Sequence, residues 1–146
     1  MLNNFLDSIK GNIREKLAGN TDLKPDELNR SAEVTADSFK EGVTEKAGQG
    51  KFDEIARLTQ PGGESSGTAN DLISKTVNNL ATKVGLPPDV ATRVAGFAIP
   101  FIISKFRDKT TEEGKNSNEG IQDMLGGIMG GSVKDKLGGL GKKFGL

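Results

Sequence analysis

The N-terminal part of the chain carries apolar residues at helical spacing in three successive segments. Apolar positions that recur every three or four residues place their side chains on one face of an α-helix. Gly19-Asn20 ends the first predicted helix, and Pro25 begins the second at a first-turn position. A glycine-rich break, Gly48-Gln49-Gly50, separates the second helix from a short third one. The residues predicted to face inward are Leu2, Phe5, Leu6, Ile9, Ile13 and Leu17, then Leu28, Ala32, Ala36, Phe39 and Val43, then Phe52, Ile55, Ala56 and Leu58.

The same spacing resumes after a segment rich in glycine and serine. Thr68 or Asn70 is expected to cap a fourth helix. Gly85 is expected to end that helix in a left-handed conformation with Leu86 packed beside it, before Pro87-Pro88-Asp89 opens a fifth helix. A sixth helix and a last amphipathic segment follow. The predicted inward residues are Leu72, Ile73, Val77, Leu80 and Val84 in the fourth helix and Ile121, Met124, Leu125, Ile128 and Met129 in the sixth.

These elements predict an all-α protein, a compact helical bundle of six to seven helices, because no stretch shows the sustained alternation of a strand. Residues 1–60 form a first three-helix repeat, 61–69 a linker, and 70–131 a second repeat whose central helix is 88–107. Residues 132–146 form a glycine-rich, amphipathic, basic tail. A chain of 146 residues is the size of one small domain, so we expect the two repeats to share a core.

The two predicted repeats resemble each other in sequence. Leu23–Ala32 (LKPDELNRSA) aligns with Leu86–Ala95 (LPPDVATRVA) at an offset of 63 residues, and shorter matches on either side hold at offsets of 67 and 70. The offset changes only inside predicted loops. The pattern predicts an internal duplication in which residues 2–59 and 70–129 superpose about a pseudo-twofold axis. Chance similarity is the alternative, because amphipathic helices share the same apolar stripes.

Both aligned segments contain the pattern Pro-Asp-x-x-x-Arg. Its structural interpretation places Pro at the first helical position and Asp at the positive end of the helix dipole. The Arg four residues later is then the ion-pair partner of the Asp. We therefore expect ion pairs between Asp26 and Arg30 and between Asp89 and Arg93.

The second and fifth helices differ in the faces they offer to solvent. The residues of the second helix that point away from its apolar stripe are Glu33, Asp37, Lys40 and Glu41. That side is expected to be solvated. The fifth helix is apolar nearly all round from Val94 to Phe106, which is typical of a central, buried helix. Phe97, Phe101 and Ile102 are therefore expected among the most buried residues.

Composition excludes several kinds of chemistry. The chain has 20 basic and 20 acidic residues and a formal net charge of zero, which is no electrostatic footprint for nucleic-acid binding. It has neither Cys nor His, so thiol and imidazole groups are absent both as catalytic groups and as metal ligands. We expect no cofactor and no metal site.

Carboxylates remain the basis for the enzyme alternative. The acidic pairs Asp26-Glu27 and Glu112-Glu113 are interpreted as solvated charges at a helix start and in a loop. The segment Gly62–Thr68 (GGESSGT) lacks the lysine of a phosphate-binding loop and follows a helix rather than a strand. We therefore predict that the protein is not an enzyme, with carboxylate catalysis as the alternative.

The chain shows no targeting or membrane-spanning segment. The first residues, MLNNFLDSIKG, lack the continuous apolar core of a signal peptide. The longest apolar run, Ala95–Ile103, is too short to span a bilayer. The cytoplasm is the expected compartment.

The C-terminal tail is the segment whose apolar face exceeds what the core is expected to absorb. Four lysines against Asp135 give residues 131–146 a local charge of +3. The residues predicted to make an interaction surface are Val133, Leu137, Leu140, Phe144, Lys142 and Lys143. The tail is expected to dock on its own domain or on a neighbouring copy ahead of an anionic membrane, because +3 is a modest charge for lipid recruitment.

Two segments, Gly85–Phe106 (GLPPDVATRVAGFAIPFIISKF) and Asp123–Gly131 (DMLGGIMGG), resemble the YidB-like bacterial family of uncharacterised domains. The resemblance covers about residues 70–131, and its motifs consist of small and apolar residues. It implies a compact, multi-helix bacterial domain. The family has no established activity or catalytic residues that this chain would inherit.

The sequence therefore favours a non-catalytic helical protein that works by protein interaction or self-assembly. Its expected partner is a second copy of itself or another protein, and no nucleic acid. A peripheral membrane-surface protein that uses the basic tail is the first alternative, and an enzyme on carboxylate chemistry is the second.

Overall fold

The computed structural model describes residues 2–112, 114 and 120–121, hereafter the described residues. They contain five α-helices and no strand, which confirms the all-α class. The helices are α1 (Leu2–Asn20), α2 (Pro25–Gly48), α3 (Phe52–Arg57), α4 (Gly67–Asn79) and α5 (Pro88–Glu112). A 3₁₀ turn precedes α4 at Gly63–Ser65, and a π-helical turn extends it at Leu80–Val84. Of the predicted sixth helix only Ile121 is described, and the predicted last segment lies outside the described residues.

Helix starts follow the proline and capping signals with one correction. Pro25 and Pro88 are the first residues of α2 and α5, as predicted. The Glu27 carboxylate accepts the Lys24 backbone N–H at 3.1 Å, which satisfies one donor before the first turn of α2. The predicted cap of α4 was wrong, since Ser66 Oγ, rather than Thr68 or Asn70, accepts the N–H of the third residue at 3.2 Å.

The turn between α4 and α5 has the predicted left-handed cap. Gly85 has φ of +83°, and its N–H donates to the Leu80 carbonyl at 3.1 Å. The Leu86 N–H reaches the same oxygen at 3.3 Å, and the Leu86 side chain is buried. A residue with a Cβ would be strained at this φ, so glycine is required here. The next helix, α5, continues to Glu112, beyond the predicted end at 107.

The buried residues of all five helices form one hydrophobic cluster. Phe106 lies near its centre, with its ring centroid 5.9 Å from that of Phe5 on α1 and 5.6 Å from that of Phe39 on α2. The first and last described helices are thereby joined through one aromatic side chain. Arg107 next to it is paired with Glu64 at 2.7 Å, which ties the 3₁₀ turn to α5.

The contacts among α1, α2, α4 and α5 are the same for the two halves of the described chain. α1 packs against α2 and α5, α4 packs against α5 and α2, and α2 packs against α5. Exchanging α1 with α4 and α2 with α5 reproduces the same set of contacts. The counterpart of α3 in the second predicted repeat lies largely outside the described residues.

Burial on the two long helices departs from the sequence expectation. On α5, Ile102 is fully buried as predicted, but Phe97 is 38% exposed and Phe101 only half-buried. On α2 the exposed acidic side is confirmed, but the buried arc also includes the hydroxyl residues Ser31, Thr35 and Ser38. Five packed neighbours surround α2: α1, α3, α4, α5 and the π-helical turn. Both long helices are therefore central, and α5 keeps one side open.

Candidate interaction surface

All six residues predicted to form the interaction surface lie outside the described residues. They are Val133, Leu137, Leu140, Lys142, Lys143 and Phe144. The tail hypothesis therefore stays a prediction from sequence. On the described residues, the candidate surfaces lie on α5 and α2.

One face of α5 carries a row of cationic and aromatic side chains. The row consists of four side chains spaced four residues apart and is here called the α5 strip: Arg93, Phe97, Phe101 and Lys105. Side chains four residues apart lie one above the other on a helix, so the strip runs about 18 Å along α5 at 1.5 Å per residue. Phe97 is the one large hydrophobic side chain exposed among the described residues. The strip therefore presents apolar surface between two positive charges.

The positive charges of the strip have no carboxylate partner on the described residues. The predicted ion pair between Asp89 and Arg93 was wrong, as was that between Asp26 and Arg30, since neither occurs among the ion pairs of residues 2–112. The Arg30 side chain instead donates to the Lys83 carbonyl oxygen at the end of the π-helical turn. The Lys105 ammonium lies 5.6 Å from the Phe101 ring centroid, a cation–π distance.

A cleft of about 270 Å³ adjoins the strip at its Arg93 end. The turn before α2 and the turn before α5 meet at this cleft. These are the two turns whose sequences align at an offset of 63 residues. The residues lining the cleft are Thr21, Asp22, Leu23 and Glu27 from one turn and Leu86, Pro87, Val90 and Arg93 from the other. Val90 and Arg93 share a face of α5 with Phe97, so the cleft and the strip form one continuous surface.

The exposed side of α2 has the opposite charge. Four carboxylates stand at every fourth residue, Glu33, Asp37, Glu41 and Glu45, here called the α2 ridge. Lys75 of α4 reaches Glu45 at 2.8 Å and Glu41 at 3.5 Å. The hydrogen bond that Lys75 donates to the Glu45 carboxylate, together with the charges of Glu41 and Glu45, raises the pKa of Lys75, which reflects the negative potential of this side. Glu33 and Asp37 take no part in the ion pairs found in residues 2–112.

The α2 ridge also has a recess. A shallow depression of about 370 Å³ is lined by Asp37, Lys40, Glu41, Thr44 and Glu45. The methylene groups of the long side chains give it apolar walls beneath the charged ends. The ridge thus offers both carboxylates and a hollow large enough to receive part of a side chain.

Of the carboxylates considered for catalysis, Asp26 and Glu27 lie at the start of α2 and Glu112 at the end of α5, and Glu113 lies outside the described residues. Asp26 and Glu112 are exposed, and the described residues hold no group of three or more Asp, Glu, His or Cys side chains close enough to share a metal ion. None of the helices in this part of the chain is both long enough and apolar enough to cross a bilayer.

The spacing of four residues in the sequence indicates the α5 strip, although the high overall hydrophobicity of the helix favours a fully buried helix. Arg93, Phe97, Phe101 and Lys105 have the spacing of one helix face, and the two ends are charged. A fully buried face does not carry unpaired cations, because burial of an unpaired charge is costly. The positions of Arg93 and Lys105 therefore indicated that this face is open.

Comparison of the chain with known protein families, curated proteins and solved structures gave no match. The resemblance of residues 85–106 and 123–131 to YidB-like proteins stays a prediction from sequence.

Proposed function

We propose that this is a non-catalytic helical protein that self-assembles, and that a second copy of the chain covers the α5 strip. The observation that carries the proposal is the exposure of Phe97 on a helix whose other sides are buried. A lone exposed hydrophobic residue needs no explanation, but Phe97 adjoins half-buried Pro100 and Phe101 and lies on the face of α5 that continues into a cleft of mixed polarity. Such a surface is stabilised when another molecule removes it from water.

The proposed internal duplication supports the same function. The positions 63 residues before the strip are Arg30, Val34, Ser38 and Gly42 on α2. That face of α2 holds a helix: Asn79 donates to Ser38 Oγ at 2.9 Å, and Arg30 bonds the Lys83 carbonyl. The strip is then the counterpart of a helix-binding face, with larger and more exposed side chains. The exchange pattern of the helix contacts and the meeting of the two aligned turns support the duplication itself.

Charge favours a second copy over a membrane as the occupant. The formal net charge of zero leaves no overall repulsion between copies. The two cations of the strip provide little attraction to anionic lipid, at about 1 kcal/mol per basic residue near a membrane surface. A partner that combines carboxylates with an apolar recess fits the strip better than a lipid surface does.

Light scattering after size exclusion tests the proposal on the full chain. The wild-type protein is expected to give a mass above that of the 15.4 kDa chain that rises with concentration. Phe97→Ser is expected to shift the mass to that of a monomer, whereas the conservative Phe97→Leu retains assembly. Both variants are expected to keep the helical circular dichroism of the wild type, because Phe97 contributes little to the core.

Two further results bear on the alternatives. Removal of residues 132–146 is expected to lower the assembly state without loss of helix content, which tests the tail contribution predicted from sequence. A wild-type protein that is monomeric at all concentrations overturns self-assembly. Co-sedimentation of that monomer with vesicles containing phosphatidylserine, lost in Phe97→Ser, would assign the strip to a membrane instead.

A further inference from the structure

We infer that the copies associate head to tail, with the α5 strip of one chain on the α2 ridge of the next. This inference rests on the proposed self-assembly and specifies its geometry. The strip and the ridge lie on different helices of the same chain, so each copy offers one of each. The contact is therefore between two unlike surfaces.

Pairing of the strip with itself is opposed by charge. Two strips that meet antiparallel place Arg93 beside Lys105 of the other copy at both ends, and two parallel strips place each cation beside its own equivalent. Either arrangement brings two pairs of like charges together as apolar surface around them is buried. Like charges across an interface suppress association, so a symmetric strip-to-strip dimer is disfavoured.

The ridge is opposite in charge to the strip and has the same length. Four carboxylates at every fourth residue of α2 extend over the same length as the four strip residues on α5. Glu33 and Asp37, which have no ion-pair partner on the described residues, are available to Arg93 or Lys105. The depression beside Asp37 and Glu41 is the recess on the ridge into which Phe97 fits.

The chain's own tail is a poorer occupant of the strip. Residues 131–146 carry a charge of +3, the same sign as Arg93 and Lys105. Contact between two positive surfaces would weaken docking, while the ridge of a second copy strengthens it. The sign of the charge thus favours the ridge of a second copy over the chain's own tail as the occupant of the strip.

A head-to-tail contact has a consequence that a symmetric dimer lacks. Each added copy leaves one strip and one ridge free, so the assembly grows into an open filament or closes into a ring. Because exposed charges form the contact, salt screens it. We expect the assembled fraction to fall as ionic strength rises.

Two charge-reversal variants of the full chain test the inference. The strip variant carries Arg93→Glu and Lys105→Glu, and the ridge variant carries Glu33→Lys and Asp37→Lys. Each alone is expected to raise the dissociation constant for assembly by about tenfold or more, because the strip variant places like charges at both ends of the contact and the ridge variant places them at the Glu33 and Asp37 end. An equimolar mixture is expected to recover assembly, since the intact ridge of one variant meets the intact strip of the other, and the two reversed surfaces are also opposite in charge.

Matched controls separate the specific contact from net charge. Lys16→Glu with Lys51→Glu, and Glu15→Lys with Asp53→Lys, make the same changes in charge at exposed positions outside both surfaces. Both control proteins are expected to assemble like the wild type. The inference is overturned if the wild type assembles but the mixed variants stay monomeric. A monomeric wild type would instead refute the proposed self-assembly itself.

Discussion

The two long helices at the centre of the bundle depart from the usual division of polar and apolar residues in opposite directions. α2 buries the side chains of Ser31, Thr35 and Ser38 completely, while α5 exposes Phe97 to solvent. Buried polar groups and exposed aromatic groups both oppose stability, so each requires a reason. The buried hydroxyl groups of α2 are explained by helix packing, whereas the exposed Phe97 of α5 is explained by the proposed association.

On α2 the reason is close approach of a neighbouring helix. α4 packs across the face that carries Ser38 and Gly42. A Cβ added at Gly42 would lie 2.3 Å from Leu72 Cδ2, so only glycine leaves room for that leucine. Small side chains, rather than apolar ones, set how far this face is buried. On α5 the side chains are large and Phe97 is exposed, so its apolar area is available for association.

The comparison predicts that truncating two phenylalanines will have very different effects on stability. Phe39→Ala on α2 is expected to lower the free energy of unfolding by about 3–5 kcal/mol, because its fully buried ring packs edge-on against Phe106. Phe97→Ala on α5 is expected to lower it by less than about 1 kcal/mol, as is usual for a surface substitution. Urea denaturation at a concentration that keeps the protein monomeric measures both.

Phe101→Ala, at the half-buried end of the strip, is expected to fall between these two. Hydrophobicity of the two helices alone would predict a larger loss of stability for Phe101→Ala than for Phe39→Ala. The burial of the two side chains reverses this order. Equal losses for Phe39→Ala and Phe97→Ala would show that the face of α5 is not open in solution.

Two glycines inside these helices provide the next test. Gly96→Ala on α5 is expected to raise stability by about 0.5–1 kcal/mol, because its Cβ would meet no atom within 4 Å and alanine favours the helix. Gly42→Ala on α2 gains the same helix propensity but forces a clash with buried Leu72. Overpacking of this kind costs about 1–3 kcal/mol, so Gly42→Ala is expected to lower stability.

Opposite signs for these two substitutions in thermal unfolding would sharpen the contrast between the helices. A stabilised Gly42→Ala variant would mean that Leu72 moves aside at little cost. The close contact of α2 with α4 would then not depend on glycine.

Much of this architecture follows from local sequence signals. Pro25 and Pro88 mark the starts of the two long helices, and Gly85 marks the end of the π-helical turn that extends α4, because backbone restrictions act within a few residues. The buried arc of α2 is wider than the sequence predicts because Ser31, Thr35 and Ser38 are polar, and only the packing of neighbouring helices makes them interior. The open face of α5 departs from the prediction for the converse reason, since Phe97 is apolar but exposed.

The smallest expected effects concern the buried hydroxyl groups of α2. Within the described residues, Thr35 Oγ1 has no hydrogen-bond partner, whereas Ser38 Oγ donates to the Val34 carbonyl at 2.7 Å and accepts from Asn79. An unsatisfied buried hydroxyl is destabilising, so Thr35→Val is expected to raise the free energy of unfolding by about 1 kcal/mol. Ser38→Ala removes the acceptor of the Asn79 amide and is expected to lower it by about 0.5–1 kcal/mol. Chemical denaturation of the two variants side by side checks the signs. A loss of stability in Thr35→Val would show that its hydroxyl is hydrogen-bonded in solution, and the buried hydroxyl would then contribute to the stability of α2.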